Sequence, residues 1–127
     1  MTRQRNDGHS TEFGLWLRKQ DAIASARGFV ATNVDYVWAN YKTGEWMLLE
    51  EKRHGSRPTF SQQDLFNRID SACKSDPKYR GFYLIVFENT SPDDGAIWID
   101  NRQVTAMELV SFLQFHVQDM DSEEDAY

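Results

Sequence analysis

The sequence predicts an α/β (α+β) fold, a mixed sheet flanked by helices, and three observations carry that expectation. Three stretches space their apolar residues at about helical period. Several short runs rich in β-branched and aromatic residues have the length of strands. The two kinds of segment follow one another as helix, strand hairpin, helix, strand, strand, helix, an order that buries both faces of a sheet.

Each element has its own signal. Phe13, Trp16, Leu17, Ile23 and Ala24 fall near helical spacing, Ser10 or Thr11 can cap the start and Gly28 can stop the end, so a first helix is expected over 11–27. Phe29 to Asn40 and Glu45 to Arg53 read as two strands, joined as a hairpin through the polar stretch Tyr41–Gly44. Arg57-Pro58-Thr59 breaks that pattern. Ser61 and Asp64 then offer a cap and an acidic first turn for a helix to about Lys74, with Leu65, Phe66, Ile69, Ala72 and Cys73 as its apolar stripe. Tyr83 to Phe87 is a continuous apolar run between Gly81 and the turn-rich 89–95, as a central strand covered on both faces would be. Ala96 to Asp100 makes a further short strand, and Met107, Val110, Phe112, Leu113 and Phe115 support a last helix from about Val104 to His116.

At 127 residues and 14.8 kDa the chain has room for one domain with one core, expected over 10–117. Residues 1–9 read as a flexible basic arm and 118–127 as a disordered acidic tail. The single Cys73 can form no internal disulfide and reads as a buried core thiol. No apolar run approaches the ~18–20 residues of a spanning helix and the N-terminus lacks a signal-peptide core, so a cytoplasmic location away from the membrane is expected.

The net charge is −6, but five of the 20 acids lie in the last nine residues. Residues 1–118 hold 15 acids against 14 bases, so local patches decide what the body attracts. The tail is open to three uses: solubility, mimicry of nucleic-acid charge, or docking to a basic protein partner. Histidines without ligand spacing argue against a zinc site, and there is no glycine-rich phosphate loop or serine-hydrolase elbow.

The chemistry concentrates at the end of the second strand. Glu50 and Lys52 are two apart, so they emerge on one face. Asp35 lies 15 residues earlier on the partner strand. With a two-residue hairpin loop it pairs with Lys52, and with a four-residue loop it pairs with Glu50. Two adjacent carboxylates repel unless a cation intervenes, and such oxygens with waters suit Mg²⁺ or Mn²⁺. A lysine beside them can orient the attacking water and offset charge on a phosphoryl group.

At these residues the chain resembles the PD-(D/E)XK nuclease superfamily, above all the small archaeal-type Holliday junction resolvases. The resemblance spans roughly residues 10–100 and implies a restriction endonuclease-like αβββαβ core: helix, three-stranded antiparallel meander, helix, strand. It carries Asp35, Glu50 and Lys52 over as catalytic residues, with Asp35 and Glu50 as metal ligands. Glu12, standing where many members have a helical Glu, and the Glu51 backbone carbonyl are further implied ligands. The chain departs from the pattern at Val34, where the motif has Pro, and at Glu51, where an apolar residue is usual. The second departure leaves Glu50 and Glu51 as alternative ligands.

Arg53, His54 and Arg57 beside the site, Gln63 at the start of the second helix, and Arg3 and Arg5 of the arm are the expected nucleic-acid contacts. The implied activity is metal-dependent hydrolysis of phosphodiester bonds in DNA, with branched DNA as a substrate that suits so small a chain. A homodimer is expected because one copy cuts one strand. The reading from a different class is a noncatalytic phage or mobile-element accessory protein that binds a host protein or nucleic acid.

Overall fold

The computed structural model describes residues 11–116, and the expected basic arm and acidic tail lie outside them. The chain divides into two compact units, one ending at Thr32 and one starting at Asn33.

In the first unit, helix α1 covers only Glu12–Arg18, capped by the Thr11 hydroxyl, which accepts from the Gly14 N–H. Two 3₁₀ turns, Asp21–Ile23 and Ser25–Arg27, replace the rest of the expected helix, and Gly28 closes the segment in the left-handed region at φ 98°. No residue of α1 is buried, and Phe13 and Trp16 are exposed. A short helix draws most of its stability from packing an apolar face, and among the described residues α1 has no buried side chain to sustain a longer one.

The second unit is a five-stranded mixed sheet in the order β1-β2-β3-β4-β5 with two helices. Strand β1, Tyr36–Ala39, pairs antiparallel with β2, Trp46–Arg53. Residues 29–34, expected as strand, have no regular structure. The hairpin takes the four-residue loop: Ala39 lies opposite Trp46, the Asn40 N–H donates to the Glu45 carbonyl, and Gly44 at φ 86° turns the chain.

Helix α2, Phe60–Cys73, begins with a capping box, the Thr59 hydroxyl accepting from the Gln62 N–H while the Gln62 side chain accepts from the Thr59 N–H. Thr59, rather than Ser61, is therefore the cap. Only Phe66 of its stripe is fully buried, and Cys73 is half-buried rather than a core thiol. The helix carries the chain across to β3, Tyr79–Phe87, which pairs parallel with β2 and stands in the centre of the sheet, as its apolar run predicts.

Strands β4, Ile97–Ile99, and β5, Arg102–Val104, form an antiparallel hairpin. Its two-residue turn, Asp100-Asn101, holds both residues at positive φ, 48° and 73°, the geometry that matches strand twist. Strand β5 is absent from the sequence expectation, which gives Val104 to the last helix. That helix, α3, is Ala106–Leu113, started by a second capping box between Thr105 and Glu108. It covers one sheet face, where Met47, Leu49, Ile85, Ile97, Ile99, Val104, Leu109, Phe112 and Phe115 form the core. Trp38 ties edge strand β1 to the end of this helix, its indole N–H donating to the Leu113 carbonyl at 2.8 Å.

Candidate active site

The β1–β2 ladder ends in side chains. One residue beyond the last paired position, Asp35 falls opposite Glu50. Its N–H donates to Glu50 Oε1 at 3.2 Å, and its own Oδ2 accepts the Glu51 N–H at 2.8 Å. The Asp35 carboxylate thus takes the Glu51 N–H that a longer β1 would have bonded through a backbone carbonyl. Lys52, next on the same face of β2, sets its Nζ 3.7 Å from Glu50 Oε2.

Glu50 is only 4% exposed and is the one buried charged residue among those described. Burial raises its carboxyl above the usual carboxylate range, and the negative charge of Asp35 adds to the rise. The Asp35 N–H and the Lys52 ammonium pull the other way. The result is an exposed Asp35 beside a buried acid that resists ionisation, with one cation attached.

Glu51 faces the opposite side of the sheet. Its Oε1 accepts from the Tyr36 hydroxyl at 3.2 Å, and its Oε2 pairs with Arg53 at 2.9 Å. The nearby Glu51 charge raises the Tyr36 hydroxyl above its ordinary value. Of the two alternative acids, Glu50 therefore shares a face with Lys52, and Glu51 presents only its backbone to that face. Arg53 is committed to Glu51 on the far side. Beneath α3 that far side holds an apolar cavity of about 360 Å³, with Trp38, Leu49, Phe87 and Leu109 among its walls.

The remaining expected contacts are placed as follows. His54 and Arg57 are exposed beyond the end of β2. Gln63 is exposed on α2, its amide donating to Asn67 Oδ1 at 3.0 Å. Glu12 is exposed in the first turn of α1, in the first unit. Arg3 and Arg5 lie outside the described residues. Tyr36 and Trp98 join the neighbourhood unannounced by the sequence reading, since only strand register reveals that Tyr36 meets Glu51 and that the Trp98 ring stacks on His54.

Among the described residues no three His, Cys, Asp or Glu side chains converge as a metal-holding group. The pair Asp35 and Glu50 nevertheless fits an ion of the magnesium kind, which uses one or two carboxylates and completes its shell with water and phosphate oxygens. A cation against Glu50 would also offset the desolvation and repulsion that raise its carboxyl. No family model, curated protein or solved structure matches this chain. Among the described residues, no helix is long and apolar enough to cross a membrane.

Proposed function

We propose that the chain is a metal-dependent nuclease of the PD-(D/E)XK type that hydrolyses phosphodiester bonds in DNA, with branched DNA as its substrate and a homodimer as its working form. The observation that carries this reading is the line Asp35, Glu50, Lys52 on one sheet face, with Asp35 opposite Glu50 and the lysine 3.7 Å from it. The element order supports it too: the site strand β2 is followed by a helix and a further strand, the order of that superfamily's core. Strands β1 and β2 supply two of the three strands of its meander.

In this mechanism Asp35 and Glu50 would hold Mg²⁺ or Mn²⁺, with the Glu51 carbonyl as a further ligand. When bound, the ion supplies charge neutralisation at the phosphate and a more acidic water. Lys52 orients the nucleophilic water and offsets the charge that develops on the phosphoryl oxygens. Burial of Glu50 keeps bulk water from competing for its carboxylate. His54, Arg57 and Gln63 contact the nucleic acid, and Arg3 and Arg5 add positive charge that attracts it.

Mn²⁺ titration calorimetry and cleavage of labelled four-way-junction DNA test this reading. Wild type is expected to bind the ion and cut. Asp35→Asn and Glu50→Gln should lose both, and Lys52→Ala should lose cutting alone. A folded wild-type protein that neither binds Mn²⁺ nor cuts with it present refutes the assignment, as does turnover retained in both Glu50→Gln and Lys52→Ala.

A further inference from the structure

The site line does not stop at Lys52. Lys52 pairs with Val86 across β2–β3, and Val86 pairs with Trp98 across β3–β4, so Lys52, Val86 and Trp98 share one sheet face. His54 follows two residues after Lys52 and is fixed where the strand ends, its N–H donating to the Phe87 carbonyl at 2.8 Å. Its imidazole lies flat on the Trp98 indole, ring centroids 4.9 Å apart and planes 19° from parallel. Trp98 is half-buried and holds the lower ring in the sheet, while His54 is exposed. The exposed π surface therefore stands on a rigid base, about 13 Å along the strand from Glu50 at the rise of an extended chain.

A core aromatic pair would bury both rings. This pair holds one ring half-buried in the sheet and offers the other to solvent, two residues along the chain from a lysine, an arrangement that suits a flat ligand approaching from above. Arg57, exposed in the same connection to α2 three residues after His54, adds positive charge to the segment. Nucleic-acid bases have these properties, and a base can present its face to a side chain only when it is not stacked within a duplex.

Building on the nuclease reading, we propose that His54 and Trp98 form a base-stacking platform beside the site, and that the substrate carries an unpaired nucleotide there. This narrows the substrate from DNA in general to DNA with a single-stranded segment or an unpaired base adjoining the cleaved bond. Trp98 is a positioning residue in this scheme, because it acts by holding His54 flat.

The test is fluorescence anisotropy at low salt and without divalent ion, so that binding is read apart from hydrolysis. The probes are a single-stranded oligonucleotide, a duplex with a single-stranded overhang, and a blunt duplex. His54→Ala and Trp98→Ala are expected to weaken binding of the first two by about 5- to 150-fold, the loss of one base–aromatic stack, and to leave the blunt duplex unchanged. Trp98→Phe should retain most of the affinity. Circular dichroism checks folding, and if Trp98→Ala does not fold, His54→Ala with Trp98→Phe decides.

Unchanged affinities, an equal loss on all three probes, or a wild type that binds no nucleic acid would overturn the platform. Cleavage of the overhang substrate is measured separately with Mn²⁺. Platform-dependent binding without cleavage would refute the hydrolytic reading and leave the platform standing. Cleavage of overhang DNA unaltered by His54→Ala would refute the platform alone.

Discussion

Glu50→Gln separates a catalytic acid from a structural one, because the two roles predict opposite signs. In the folded chain Glu50 is 4% exposed, and burial and then Asp35 raise its carboxyl. In the unfolded chain it titrates near its ordinary value of about 4.3. A group whose pKa is raised by folding contributes stability while protonated in the folded state, and that contribution is lost as pH rises through the folded value. Ionised Glu50 is therefore a burden on the fold near neutral pH, and each tenfold change in proton affinity is worth about 1.4 kcal/mol. Glutamine keeps an acceptor for the Asp35 N–H and removes the charge. What it gives up is a 3.7 Å pair with Lys52, whose side chain is 22% exposed. Without metal, urea unfolding at neutral to mildly alkaline pH should show Glu50→Gln at least as stable as wild type, with the advantage fading as the pH is lowered.

Metal should invert this order. At a hundredfold excess over its Kd, Mn²⁺ stabilises a protein by about 2.7 kcal/mol, a gain the glutamine variant should largely forgo. Wild type then becomes the more stable of the two. A Glu50→Gln variant less stable than wild type by more than ~1 kcal/mol without metal, and unaffected in rank by metal, would show that the charge serves the fold and would refute this reasoning.

Other expected outcomes follow from single contacts. Asp35→Ala removes the acceptor for the Glu51 N–H and should lower stability by about 1–2 kcal/mol in urea unfolding, with faster amide exchange in β1; unchanged exchange would place the anchoring elsewhere. Asn101→Ala forces a Cβ-bearing residue lacking a polar side chain to φ 73° and should destabilise by about 1 kcal/mol, whereas Asn101→Gly should be neutral or better. Thr105→Ala deletes the hydroxyl that accepts the Glu108 N–H and should lower the thermal midpoint by an amount equivalent to about 1 kcal/mol, an effect absent in Thr105→Ser.

Elements with local causes leave their signals in the sequence, although the sequence expectation puts the α2 cap at Ser61 rather than Thr59 and starts the last helix at Val104 rather than after the Thr105 cap. The β3 apolar run predicts a central strand, and Thr59-x-x-Gln62 and Thr105-x-x-Glu108 carry complete capping boxes in four residues each. The Asp100-Asn101 turn was legible in principle, since both residue types tolerate positive φ, but two three-residue strands leave too short an alternation to recognise. The expected helix over 11–27 and the strand from Phe29 fail for another reason. Their patterns needed burial or a partner to become structure, and among the described residues α1 buries none of its side chains while β1 is an edge strand paired with β2.

The sequence by itself placed Glu50 and Lys52 on one face, because alternation along a strand is a property of the backbone. It left Asp35 opposite either Lys52 or Glu50, and the four-residue loop decided for Glu50. Only tertiary structure could bury Glu50, turn Glu51 toward Tyr36 and Arg53, and bring Trp98 beneath His54. Those outcomes depend on the register of β2 against β3 and of β3 against β4, pairings between segments far apart in sequence. The energy that fixes such a register is spread over the whole buried face, so no local stretch of sequence records it.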